Sequence, residues 1–132
     1  MEDPMIIIKE KWNLPKKYLD YLISHPKKGE YLEGDLFVDS LRIYSASQLI
    51  RNQQGYSYNP LKKQIIEVWP KDYVVIADDG ADPYALDLSK SNGEEAPVMF
   101  AYHGEGSWDF SEYASSFEEL YKKVKEGKTE DF

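Results

Sequence analysis

The stretch Tyr73-Val74-Val75-Ile76-Ala77-Asp78-Asp79-Gly80-Ala81-Asp82-Pro83-Tyr84-Ala85-Leu86-Asp87-Leu88 decides the fold class. Its opening, Tyr73 to Ala77, is β-branched and apolar between Pro70 and Asp78-Asp79-Gly80, which predicts a strand followed by a turn. Asp78-Asp79-Gly80-Ala81-Asp82-Pro83 predicts that turn, because Asp bonds its own backbone and Gly accepts positive φ. Tyr84 to Leu88 predicts the returning strand. Alternation along it sets Tyr84, Leu86 and Leu88 on one face and makes Tyr84 a core candidate.

Downstream, Ser89 to Pro97 predicts a second turn with Asn92-Gly93 at its tip, and Val98 to Tyr102 a third strand. Strands joined by such short turns form an antiparallel meander. Ser115 and Ser116 then stand before Phe117-Glu118-Glu119, giving Ser/Glu capping boxes in two overlapping registers. Phe117, Leu120, Tyr121 and Val124 follow at helical spacing. Lys122, Lys123 and Lys125 suit the C-terminal end of that helix, Gly127 ends it, and residues 127–132 are expected to fray.

Upstream, Pro15 opens a helix carrying Tyr18, Leu19, Tyr21, Leu22 and Ile23, stopped by His25-Pro26. Tyr31 to Val38 reads as a turn leading into a short strand, and Leu41 to Tyr44 as an extended segment. Ser45-Ala46-Ser47-Gln48 is a capping box for a short helix through about Gln54, ended by Gly55. Tyr56 to Lys63 reads as a loop, while Gln64 to Trp69 is apolar enough to pack without declaring its type. The sum is an α+β fold, a central and mostly antiparallel sheet flanked by helices, in one domain over residues 1–132 with a variable segment at 1–13.

A chain of 132 residues buries roughly two thirds of its unfolded surface, enough for a core without staples. The absence of cysteine removes disulfides, thiolate nucleophiles and Cys-based zinc sites, and fits a reducing compartment. Met1 to Lys9 has neither a basic leader nor a long apolar run, and nothing approaches the ~20 apolar residues of a membrane span. A cytoplasmic protein is expected, without membrane partners.

Charge is placed unevenly. Residues 72–119 hold 12 acidic side chains and one basic, Lys90, whereas residues 1–71 hold 9 acidic and 11 basic. Such a field repels phosphate backbones and attracts cationic partners, which argues against nucleic-acid binding. Eleven tyrosines and three tryptophans exceed what the core needs, and these residue types are enriched at interfaces. Tyr84, Tyr102, Trp108 and Tyr113 lie in the acidic region, and Trp108 is the favoured anchor because it falls in a loop. The candidate partner-binding set is therefore Asp78, Asp79, Asp82, Asp87, Tyr102, Glu105, Trp108 and Asp109.

Catalytic chemistry finds little footing. The aspartates at 78, 79, 82 and 87 do not match a calcium loop, since Gly80 comes too early and position 89 is Ser. No metal or cofactor is expected. His25 suits a helix stop, and His103-Gly104-Glu105-Gly106-Ser107-Trp108 lacks the Gly-x-Ser-x-Gly nucleophile spacing. Carboxylate pairs such as Glu105 and Asp109 are expected by chance in so acidic a stretch, so no catalytic residue is singled out.

The ordered strings resemble the SUKH superfamily, named for fungal regulators of cell-wall synthesis. Leu14-Pro15-Lys16-Lys17-Tyr18-Leu19-Asp20-Tyr21-Leu22 is similar to its Leu-Pro-x-x-Tyr helix start. Tyr73 to Leu88 is similar to its strand, Asp/Gly turn and second strand; Pro97-Val98 and Ser115-Ser116-Phe117-Glu118-Glu119-Leu120 also fit. The turn reads Gly80-Ala81-Asp82 where the family often has a double glycine, and the short stretch before Leu14 implies an opening helix that is reduced or replaced. The resemblance implies an immunity protein of bacterial type that binds a cognate toxin, and the acidic region adds the expectation that the toxin has a basic surface, a nuclease among the candidates. The resemblance also implies no catalysis. A monomer or weak dimer is expected, and the alternatives are a regulatory adaptor for cellular proteins and a metal-dependent hydrolase.

Overall fold

The computed structural model describes residues 3–26, 28–32, 41–59, 64–65, 69–79, 82–102 and 108–127. In chain order the elements are α1 (Pro4–Lys11), α2 (Lys16–Ser24), β1 (Glu30–Leu32), β2 (Leu41–Ile43), α3 (Ala46–Ser57), β3 (Tyr58–Asn59), β4 (Gln64–Ile65), β5 (Tyr73–Asp79), β6 (Asp82–Asp87), β7 (Val98–Phe100), β8 (Ser111–Ala114) and α4 (Phe117–Gly127). Six strands form one antiparallel sheet in the order β1-β2-β5-β6-β7-β8, and β3 pairs β4 in a separate ribbon. The arrangement is α+β, as expected from the sequence.

Capping chemistry sets the helix starts. Ser45 and Gln48 form a reciprocal box: the Gln48 N–H donates to Ser45 Oγ at 3.2 Å and the Ser45 N–H to Gln48 Oε1 at 2.9 Å. At α4 the two registers resolve in favour of Ser116, whose Oγ accepts the Glu119 N–H at 3.1 Å. The Glu119 carboxylate reaches back to Ser115, accepting its hydroxyl at 2.5 Å and its N–H at 3.2 Å, and these two bonds hold it below its ordinary pKa. α2 follows Pro15 and stops at His25, whose Nδ1 lies 2.9 Å from the Tyr21 carbonyl oxygen.

Several boundaries differ from expectation. The segment before Leu14 is a helix, α1, started by Asp3, which accepts the Met5 N–H at 2.9 Å, with Pro4 in the first turn. α3 continues through Gly55 to Ser57, since helical turns tolerate glycine at a cost of about 1 kcal/mol. The expected turn from Asp78 to Pro83 contracts, with β5 running to Asp79 and β6 resuming at Asp82. The third strand ends at Phe100, and β8 adds a fourth strand to the meander. A strand, β1, spans Glu30–Leu32 where a turn is expected to start, and the short strand expected toward Val38 lies outside the described residues.

Register assigns the two faces. Glu30, Ile43, Ala77, Tyr84 and Phe100 stand opposite one another in a row across five strands. α2 and α4 cover this face. Tyr18 of α2 meets Phe117 of α4 at 5.0 Å between ring centroids, and Lys123 Nζ sits 4.3 Å over Tyr113, whose ring meets Tyr84. Tyr73, opposite Asp87, projects to the other face, where Phe110 packs on it at 4.8 Å. With both faces covered, β6 is buried from Pro83 to Asp87, so Tyr84 is core as expected and Ala85 is core as well.

β2 pairs β5 only near Ala77 and Asp78, which leaves the start of β5 to other donors and acceptors. The Gln53 side-chain amide supplies them, accepting the Val75 N–H at 2.8 Å and donating to the Tyr73 carbonyl at 3.1 Å. The Trp69 indole N–H donates to the same carbonyl at 2.9 Å. A glutamine on a helix thus does for β5 what another strand would do.

Candidate functional site

Three of the six acidic candidates gather at one end of the sheet. Asp79 and Asp82 stand directly opposite each other at the β5–β6 hairpin, with Asp78 opposite Pro83 one row inward. The Ala101 N–H donates to the Pro83 carbonyl at 3.4 Å, which brings the start of the next connection to the same end. Tyr102 follows there with 63% of its surface exposed. Asp87 is elsewhere: it lies at the far end of β6, 3% exposed, and caps a 3-10 turn by accepting the Ser89 N–H at 3.0 Å. Glu105 lies outside the described residues.

Asp78 is only 7% exposed, and the Tyr44 hydroxyl donates to its Oδ2 at 2.5 Å. Burial, and then this bond and the charge of Asp78, hold the Tyr44 hydroxyl far above its ordinary pKa. Tyr56 is next in line. Burial together with the charges of Asp78 and Asp82 pushes its pKa up to about 12, while a hydrogen bond with Tyr44 works in the opposite direction. Asp78 is thus the inner anchor of a polar network to which half-buried Asp82 adds its charge, with half-buried Asp79 opposite Asp82 in the hairpin.

Trp108 stands beside this network as part of an aromatic cluster. Its ring meets Tyr56 at 5.8 Å, Trp69 at 5.9 Å and Phe110 at 6.1 Å. Edge-to-face contacts predominate, the geometry that aromatic quadrupoles prefer. Trp108 is half-buried and packed, with exposed Asp109 adjacent in the chain. Tyr102 packs on Phe100 of the face covered by α2 and α4 at 4.9 Å, whereas Trp108 packs with Phe110 and Tyr56 on the other face, so the two candidate rings stand on opposite sides of the sheet.

A second site was not read from the sequence. Between α2, α4 and β1 lies a groove of about 410 Å³ lined by Tyr21, His25, Glu30, Phe117 and Tyr121, among others. Glu30 is its hub. Its Oε1 accepts the Tyr21 hydroxyl at 3.1 Å, its Oε2 accepts the Tyr121 hydroxyl at 2.9 Å, and His25 Nε2 lies 3.6 Å from Oε1. Burial, followed by the charge of Glu30, drives the Tyr21 pKa well above its ordinary value. The only sequence signal was the helical spacing of the aromatic residues, which reads equally well as core packing.

Among the described residues no group of three or more His, Cys, Asp or Glu side chains is placed to hold a metal ion. No helix among them is long and apolar enough to cross a membrane.

Fold and surface define a protein of α+β class with a helix-flanked antiparallel sheet and two acidic, aromatic surfaces. The model of the SMI1 / KNR4 family (SUKH-1) matches residues 8–123, and the chain belongs to that family. Comparisons with curated proteins and with solved structures give no match.

Proposed function

We propose that this protein acts by binding a single partner protein, as an immunity protein that neutralises a toxin through direct stoichiometric contact. Membership of the SMI1 / KNR4 family is the observation that carries the reading. The charge of the chain supports it: Asp79 and Asp82 at the hairpin, together with Tyr102, Trp108 and Asp109, belong to a segment rich in carboxylates and almost devoid of lysine and arginine. The toxin then has a basic face, as a nuclease's substrate groove does, and the encounter is steered electrostatically. Binding occludes the toxin and requires no catalytic step from this chain.

The test is affinity copurification of the tagged chain from its source cells, with mass spectrometry of the captured proteins. A stoichiometric, salt-sensitive partner carrying a toxin domain is the expected result. Charge reversal at Asp79, Asp82 and Asp109 should then slow association about tenfold or more at low salt. A diffuse set of weak cellular partners overturns the immunity reading in favour of an adaptor.

A further inference from the structure

The groove between α2 and α4 shares no residue with the hairpin surface. Rings of Tyr21, His25, Phe117 and Tyr121 line it, and so do the carboxylates of Asp20, Glu30 and Glu118 against one lysine, Lys17. Lys17 is drawn to the rim, 2.9 Å from Glu95 and 3.3 Å from Glu118. Among the described residues no cation pairs with Asp20. The groove is thus aromatic inside and negative around its mouth.

We propose that this groove receives the guanidinium of an arginine side chain from a protein partner. The Glu30 carboxylate is fixed in place by two tyrosine hydroxyls yet keeps 31% of its side chain exposed, so it is pre-organised and reachable. A carboxylate offers about four lone-pair positions, of which the Tyr21 and Tyr121 hydroxyls occupy at most three; the His25 ring, stacked on Tyr21 at 4.1 Å with Nε2 3.6 Å from Oε1, borders the remainder. Aromatic faces attract a planar cation through their quadrupole, and arginine both stacks on them and bonds carboxylates in a fork. Lysine, a compact and strongly hydrated charge, fits such a slot less well. The inference concerns a site separate from the hairpin end, and it stands whether or not the partner is a toxin.

The experiment is an NMR titration of the isotope-labelled full chain with the peptide acetyl-Gly-Arg-Gly-amide. The controls are the same peptide with citrulline, which keeps the shape and loses the charge, and with lysine. Saturable shifts confined to Tyr21, His25, Glu30, Phe117 and Tyr121 are expected for arginine, with binding at least about tenfold weaker for citrulline. The exposed-rim variant Asp20→Asn with Glu118→Gln leaves the Glu30 hub intact, and its spectrum reports directly that it is folded. It should weaken arginine binding several-fold. Absence of saturable shifts in the groove, equal binding of the citrulline peptide, or unchanged binding by the rim variant overturns the proposal. None of these outcomes bears on the copurification test.

Discussion

The Tyr121 hydroxyl of α4 donates to the Glu30 carboxylate of β1 at 2.9 Å, joining residues 91 positions apart in the chain. Tyr21 donates to the same carboxylate from α2, so one side chain ties two helices to an edge strand. Hydrogen bonds to a charged group contribute about 1.5–3 kcal/mol, so Tyr121→Phe should cost about 1.5 kcal/mol in this half-exposed setting. Glu30→Ala should cost about twice that, because it leaves both hydroxyls without their acceptor. Urea unfolding of the two variants checks the order, and equal costs would deny Glu30 its role as hub.

Alkaline pH should unfold the protein. Tyr18, Tyr21, Tyr44, Tyr56 and Tyr73 all have raised pKa values in the fold, Tyr56 at about 12, with burial the leading cause in each. A raised folded-state value means that the unfolded chain loses its phenolic protons first. Their stabilising contribution is therefore complete below about pH 10 and is lost as pH rises beyond it. Absorbance at the phenolate band should show a subset of tyrosines ionising only together with loss of the circular dichroism signal. Smooth titration of all tyrosines with the fold intact would contradict this.

Two glycines should respond oppositely to alanine. A Cβ on Gly29 would fall 1.9 Å from the Ile43 carbonyl oxygen and 2.8 Å from Gln48 Oε1, where strand backbone and a capping side chain have little room to yield. Gly29→Ala should destabilise by about 3 kcal/mol, the upper range for overpacking. At Gly55, inside α3, a Cβ meets nothing within 4 Å, so Gly55→Ala should stabilise by about 0.5–1 kcal/mol. Thermal unfolding of the pair should show shifts of opposite sign.

Two tyrosines should likewise part ways on conversion to phenylalanine. The Tyr44 hydroxyl bonds the buried Asp78 carboxylate, so Tyr44→Phe should cost about 2–3 kcal/mol. The Tyr18 hydroxyl is buried and has no hydrogen-bond partner among the described residues. Tyr18→Phe keeps the ring contact with Phe117 and removes an unmet donor, so it should be neutral or stabilising by up to about 1 kcal/mol. Denaturant midpoints of the two variants, measured side by side, check this.

The sequence by itself determined what depends on neighbours along the chain. The Ser45–Gln48 box, the Ser116 cap, the Pro15 start and the β5–β6 hairpin all follow from groups within a few residues of each other, and each is found. α1 is equally local, started by Asp3-Pro4, yet residues 1–13 read only as a variable segment, since three β-branched isoleucines in succession lower helix propensity. Tertiary structure alone decided the rest. Gln53 closes the edge of β5 from a helix, Asp78 turns inward although its sequence context reads as polar turn, Asp87 is buried at the end of its strand, and Glu30 draws in tyrosines from two helices. Buried polar groups must find partners wherever the packed fold supplies them, and the chain brings those partners together only after long loops close.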